Sequence, residues 1–87
     1  MKPGQDIIDR GMADLLAGNE TVESLLVLIG APRLRRLGID VPVSTIESPE
    51  HRLYYRLRET HHDGAHSKYN SLIRRLVSFE RASECAN

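Results

Sequence analysis

The chain has 87 residues, 40% hydrophobic and 28% charged, which predicts one globular domain over residues 1–87 and argues against a disordered chain. The single cysteine excludes an internal disulfide bond, and no apolar run approaches the roughly 20 residues of a membrane span. Formal net charge is zero and the N-terminus has no apolar signal-peptide core, so we expect a cytoplasmic protein that binds no membrane.

The first predicted element is a helix over about residues 5–17. At about 100° per residue, its apolar side chains share one half of the helix: Ile7, Ile8, Met12, Leu15 and Leu16. Gly11 lies within that apolar arc. Because glycine lowers helix stability by about 1 kcal/mol relative to alanine, we interpret Gly11 as the point where another helix approaches closely. Gly18 accepts a positive φ and ends the helix.

The second predicted helix covers about residues 20–30, with Thr21 or Asn19 as its cap. Its run of five apolar residues, 25–29, exceeds what one buried face needs, and a helix that is apolar on all sides is buried or lies at an interface. Val27 and Leu28 point away from the main apolar face. We expect a protein partner to cover them, and a homodimer is the predicted assembly.

Gly30-Ala31-Pro32 is predicted to break this helix, because proline interrupts a helix interior. A short helix over 33–37 would follow, with Gly38 as its C′ residue. Residues 39–47 alternate apolar and polar side chains in part and contain Pro42, so they are interpreted as an extended connection that crosses the bundle.

The third helix has the clearest start signal, Ser48-Pro49-Glu50, with serine as the cap, and Gly64 is predicted to end it. The fourth begins near Asp63 or Ser67 and continues to about Glu84. Glu80 projects into its apolar arc, and an unpaired buried carboxylate is costly. Two interpretations remain open: this end of the helix turns outward, or Glu80 pairs with an arginine or histidine of another element. The predicted class is all-α, a compact bundle of four to five helices.

The predicted function is a protein-interaction or regulatory module that acts by surface contact: an adaptor, an antitoxin-like protein or an accessory subunit. Arginine and tyrosine dominate the energetic centres of protein interfaces, and the third helix is rich in both. Alternatively, its arginines form a solvated face paired with neighbouring acids. The predicted interface residues come from the second and third helices and the segment after Pro32: Val27, Leu28, Arg33, Arg36, Arg52, Tyr55 and Arg56.

The alternative prediction is a small nucleic-acid-binding regulator. Residues 1–32 hold two basic and five acidic groups, net −3, whereas residues 33–87 hold ten basic and seven acidic groups, net +3. Residues 21–37 resemble a helix-turn-helix only superficially, because the positions of its small and buried residues hold Leu26 and Arg36. The arginines that would contact phosphates in this alternative are Arg33, Arg35, Arg36, Arg74, Arg75 and Arg81.

A second alternative is a metal-binding protein. His62 and His66 are four residues apart, the spacing that presents two imidazoles on one helix face, but Gly64 interrupts that helix. The other interpretation is surface histidines at a helix C-terminus. Cys85 is interpreted as a spectator thiol near the chain end. No catalytic or cofactor motif is recognised, so we expect no enzyme and no cofactor.

Overall fold

The computed structural model describes residues 2–86, apart from the side chain of residue 86, and its regular structure is helical throughout. The α-helices are α1 Gln5–Ala17, α2 Val22–Arg36, α3 Pro49–His61 and α4 Ala65–Ala86, and a 3-10 turn, His62–Gly64, joins the last two. No strand occurs in this part of the chain, so the predicted all-α class is confirmed. The radius of gyration is 12.5 Å, close to the about 12 Å expected for a compact chain of this length.

α1 packs against α2 at Gly11, a residue that places no side chain in the interface. A Cβ atom at Gly11 would lie 2.4 Å from the carbonyl oxygen of Glu23 and 2.5 Å from Cγ2 of Val27, so only glycine fits. The predicted close approach at Gly11 is therefore confirmed. α1 ends at Gly18, which has a φ of 77°, as predicted. Leu16 departs from the prediction, because it is 77% exposed.

α2 starts at a reciprocal capping pair. The hydroxyl of Thr21 accepts from the backbone N–H of Ser24 at 3.1 Å, and the backbone N–H of Thr21 donates to the hydroxyl of Ser24 at 2.8 Å. The predicted break at residues 30–32 is wrong, because α2 continues through Pro32 to Arg36. The segment predicted as a separate short helix is the end of α2, so the two elements predicted over residues 20–37 form one helix.

The continuity of α2 has a tertiary cause. Proline inside a helix costs about 3 kcal/mol, but Pro32 is exposed while its neighbours Ala31 and Leu34 are buried in the core. Gly30 lets α4 approach, since a Cβ there would lie 2.8 Å from Cδ1 of Leu76. Burial of this turn against other helices offsets the local cost of the proline. Gly38, with a φ of 89°, then follows the helix as the predicted C′ residue.

α2 is the central helix and contacts α1, α3 and α4. Its Leu25, Leu26 and Val27 have no exposed surface at all. The expectation that Val27 needs a partner's cover is wrong, because α1 covers it at Gly11. Leu28 is half-buried. Three neighbouring helices therefore supply within one chain most of the cover that the apolar run requires.

The segment between α2 and α3, residues 39–48, is a connection that contains neither helix nor strand. Val41 is buried, and the guanidinium of Arg35 donates to its carbonyl oxygen at 3.1 Å and to that of Pro42 at 3.3 Å. These bonds attach the start of the connection to the end of α2. Val43, by contrast, is 93% exposed.

The two ends of α3 differ from the predicted capping. Pro49 is its first residue, as predicted, but Ser48 has a φ of 49° and its side chain makes no cap hydrogen bond. Gly64 does not end the helix. α3 ends at His61, and the positive φ that reverses the chain belongs to His62, at 48°. The turn brings Tyr54 of α3 and Tyr69 of α4 into edge-to-face contact, with ring centroids 6.0 Å apart.

Candidate protein-interaction surface

Two arginines of α3 converge on one acid at the start of α2. Nε of Arg52 donates to Oε1 of Glu20 at 2.7 Å, and Nη2 of Arg56 donates to Oε2 at 3.2 Å. Residues four apart lie on one face of a helix, which lets both guanidinium groups reach the same carboxylate. The side chains of Arg52 and Arg56 remain 52% and 42% exposed, so the cluster stays open to solvent.

The cluster orients the arginines more than it stabilises the fold. Partial desolvation opposes ionisation of Glu20, but the hydrogen bonds from Arg52 and Arg56 outweigh it and lower the pKa of Glu20 below its ordinary value. The stability that these bonds contribute is present above the ordinary carboxylate pKa and is lost as the pH falls through the lowered one. Exposed ion pairs contribute only about 0–1 kcal/mol. Their main consequence is that two arginine side chains are directed towards one shared acceptor.

Glu20 separates two grooves. The first, of about 330 Å³, lies between the end of α1 and the connection, and Leu15, Val43 and Ile46 give it an apolar lining. The second, of about 300 Å³, is lined by Glu20 and four residues of α3: Arg52, Tyr55, Arg56 and Glu59. We call these two grooves the Glu20 surface.

The Glu20 surface contains two of the exposed large apolar side chains in residues 2–86. Leu16, Val43 and Tyr55 face solvent in this part of the chain, at 77%, 93% and 64% exposure. Val43 lines the first groove and Tyr55 lines the second. Single exposed apolar residues are ordinary, but a group of them beside arginine and tyrosine is typical of a contact surface.

The predicted interface residues fall into two groups. Arg52, Tyr55 and Arg56 lie together on the Glu20 surface. The rest belong to α2, where Val27 is buried, Leu28 is half-buried and Arg36 is exposed. Sequence reasoning missed the contribution of Glu20 and Val43. The spacing of Arg52 and Arg56 indicates a shared acceptor, but nothing local identifies Glu20 as that acceptor.

Arg33, another predicted interface residue, forms a second ion-pair cluster between α2 and α4. Its Nε donates to Oε1 of Glu84 at 3.0 Å, and its Nη1 lies 3.5 Å from Oε1 of Glu80. Glu80 is buried, so the interpretation that it pairs with an arginine of another element is the one confirmed. The guanidinium of Arg33 forms its shorter hydrogen bonds with Glu84, and its contact with Glu80 is longer.

The negative charge of Glu80 is therefore only partly compensated by nearby arginines. Burial raises its pKa and the nearby Glu84 adds to this effect, whereas Arg33 and Arg36 oppose it without cancelling it. A raised folded-state pKa means that the folded protein binds the proton more tightly than the unfolded chain does. Folding is thus favoured as the pH falls from above the raised pKa towards the ordinary value near 4.5.

The arginines of the nucleic-acid alternative are scattered and half of them have intramolecular acceptors. Arg33 bonds Glu84, Arg35 bonds backbone carbonyl groups of the connection, and Arg75 donates to Asp6 at 3.1 Å. Arg36, Arg74 and Arg81 are exposed. The helix-turn-helix resemblance does not hold, since α2 is continuous where the turn would lie.

The histidine pair lies at the reversal between α3 and α4. His62 is in the 3-10 turn and His66 is in the first turn of α4, and both side chains are exposed. Residues 2–86 contain no group of three or more His, Cys, Asp or Glu side chains arranged to hold a metal ion. Cys85 is exposed.

Comparison of the chain with models of protein families, with curated proteins and with solved structures finds no match. None of the helices in residues 2–86 combines the length and the apolar character needed to cross a bilayer.

Proposed function

We propose that this protein is a cytoplasmic interaction module that docks another protein on the Glu20 surface and performs no chemistry itself. The observation that supports the proposal is the position of exposed Val43 and Tyr55 in two adjacent grooves, next to arginines already oriented by Glu20. Tyrosine and arginine are enriched among the residues that contribute most to the binding energy of protein interfaces.

The partner is proposed to be a different protein. A homodimer is predicted from the need to cover Val27 and Leu28. Val27 is buried inside the single chain and needs no second copy to cover it. Self-association through the Glu20 surface stays a prediction that the same experiment examines. Binding through phosphate contacts is the less favoured alternative, because α2 is continuous where the turn of a helix-turn-helix would lie.

The test is site-specific photo-crosslinking in living cells. A photoreactive amino acid at position 43 or 55 should give a discrete crosslinked product, whereas the same group at position 78, exposed on α4, should give none. A product of twice the chain mass would identify self-association, and any other mass would identify a different partner. Products from position 78 without any from 43 or 55 would refute docking on the Glu20 surface.

A further inference from the structure

We propose that the end of α4, residues 80–86, is a pH-sensitive strap: it lies on α2 while Glu80 is neutral, and ionisation of Glu80 favours its release without unfolding the rest of the chain. Release would uncover the face of α2 around Gly30 and Arg33. The strap does not depend on docking at the Glu20 surface. Three observations support it: the side chains that the strap buries, the partners of those side chains and the charges around Glu80.

The strap buries polar rather than apolar side chains. α4 continues to residue 86, but within residues 2–86 the apolar core receives no side chain of α4 beyond Phe79. The buried residues of the strap are Glu80 and Ser83, at 4% and 3% exposure. Segments with few buried apolar contacts open locally at a lower free energy than the core does. We therefore expect the strap to open more easily than the rest of α4.

The buried polar groups of the strap are poorly paired. Among residues 2–86, the hydroxyl of Ser83 has no hydrogen-bond partner although it is shielded from solvent. Nη1 of Arg33 lies 3.5 Å from Oε1 of Glu80, whereas Nε of Arg33 donates to Glu84 at 3.0 Å. Oε2 of Glu80 lies beside Gly30, where a Cβ atom would be 3.3 Å away. Burial of these groups opposes closure, because water would satisfy them in the released strap.

The charges around Glu80 make closure depend on pH. They come from α2, which packs against Glu80, and from α4 itself. Burial raises the pKa of Glu80 and Glu84 adds to the effect, whereas Arg33 and Arg36 oppose it. In the released strap Glu80 would regain water and its ordinary pKa near 4.5. The closed strap therefore binds the proton more tightly, and closure is increasingly favoured as the pH falls from above the raised pKa towards 4.5.

The experiment compares the rates at which a thiol reagent that is active in acid labels two buried positions, each in a Cys85→Ser background. Ser83→Cys reports on the strap, and Val27→Cys reports on global unfolding, since Val27 is fully buried in the central helix. Position 83 should be labelled at least about tenfold faster, with little dependence on dilute urea, because local opening exposes little surface. Equal rates with the same urea dependence would overturn the proposal, because the strap would then open only with global unfolding.

A second arm tests the charge of Glu80. Glu80→Gln, which mimics the protonated acid, should slow labelling at position 83 about tenfold at neutral pH, as expected on removal of a partly compensated buried charge. The matched control is Glu47→Gln, which removes an exposed acid of the connection and should leave the rate unchanged. If Glu80→Gln is labelled as fast as its parent, the charge of Glu80 does not govern release and the proposal is wrong.

The pH dependence provides a third comparison. Lowering the pH from about 8 to about 5 should slow labelling at position 83 relative to an exposed thiol at Ser78→Cys, and Glu80→Gln should abolish this extra slowing. Extra slowing that persists in Glu80→Gln would assign the pH dependence to another group and contradict the proposal. Thermal melts establish that each variant is folded. If Ser83→Cys is not, hydrogen exchange of the backbone amides of residues 83–86 gives the same comparison in the unmodified chain and in Glu80→Gln.

Discussion

The contact of α1 with α2 at Gly11 allows a quantitative prediction. Replacing Gly11 by alanine adds one methyl group, which would lie 2.4 Å from the carbonyl oxygen of Glu23 and 2.5 Å from Val27. Neither neighbour moves easily, because the first belongs to the backbone of α2 and the second is fully buried. The added atom must therefore push the two helices apart.

The magnitude follows from two opposing effects. Alanine favours a helix by about 1 kcal/mol over glycine, whereas overpacking of a closed interface costs about 1–3 kcal/mol and more where the backbone must shift. With the clash against backbone, we expect Gly11→Ala to lower the free energy of unfolding by about 2 kcal/mol, overpacking at its upper end less the gain in propensity. In a domain of this size that loss lowers the Tm by roughly 8–16 °C.

The matched control is Gly64→Ala in the 3-10 turn. Its Cβ would meet only the side chain of His61, at 3.9 Å, and its φ is not in the positive region. Alanine at such a position restricts the unfolded chain and should stabilise the protein by about 0.4–1 kcal/mol. Urea unfolding of both variants gives the comparison. If Gly11→Ala is as stable as the wild type, α1 does not approach α2 as described.

Three further predictions concern strain, buried charge and burial. His62→Gly should raise the free energy of unfolding by about 1 kcal/mol, because a φ of 48° suits glycine; unchanged urea stability would contradict the strain. Glu80→Gln should raise the Tm at neutral pH and flatten its dependence on pH above about 4.5; a Tm lowered at neutral pH would show that Arg33 fully compensates the charge. Leu26→Ala should cost about 2–5 kcal/mol and Leu16→Ala less than about 0.5; similar losses in chemical denaturation would contradict the assigned burial.

Local chemistry made much of the fold predictable. The extent of α1, the start of α3 at Pro49 and the glycines that follow α1 and α2 all depend on preferences of a few neighbouring residues. The continuity of α2 through Pro32 could not be predicted in this way. The cost of that proline is local, whereas the packing of Ala31 and Leu34 that offsets it comes from other helices.

The burial of Val27 also depends on neighbouring helices and could not be predicted from the local sequence. A helical wheel gives the direction of a side chain but not the number of helices around it, so periodicity alone predicts that the apolar run needs a partner. Leu16 shows the converse, since it belongs to the apolar half of α1 but lies beyond the cover of α2. Both outcomes depend on where neighbouring helices begin and end, which periodicity does not contain.

The candidate surface was predictable in part. The composition of α3 indicates Arg52, Tyr55 and Arg56, because those residue types lie close together on one helix. Glu20 is more than thirty positions away in the sequence, and its pairing with the arginines arises only when α2 and α3 pack. The role of Val43 could not be predicted from the sequence either, because an apolar side chain in a connection becomes part of a surface only where the folded chain forms a groove.

The most direct test of the docking proposal is the rate at which a thiol reagent labels Val43→Cys in a Cys85→Ser background. The rate is measured in dilute purified protein and in concentrated cell extract, with Ser78→Cys as the reference. We predict that the extract slows labelling at position 43 at least several-fold relative to position 78, because the partner covers the first groove. Equal slowing at both positions would contradict the proposal that proteins dock on the Glu20 surface.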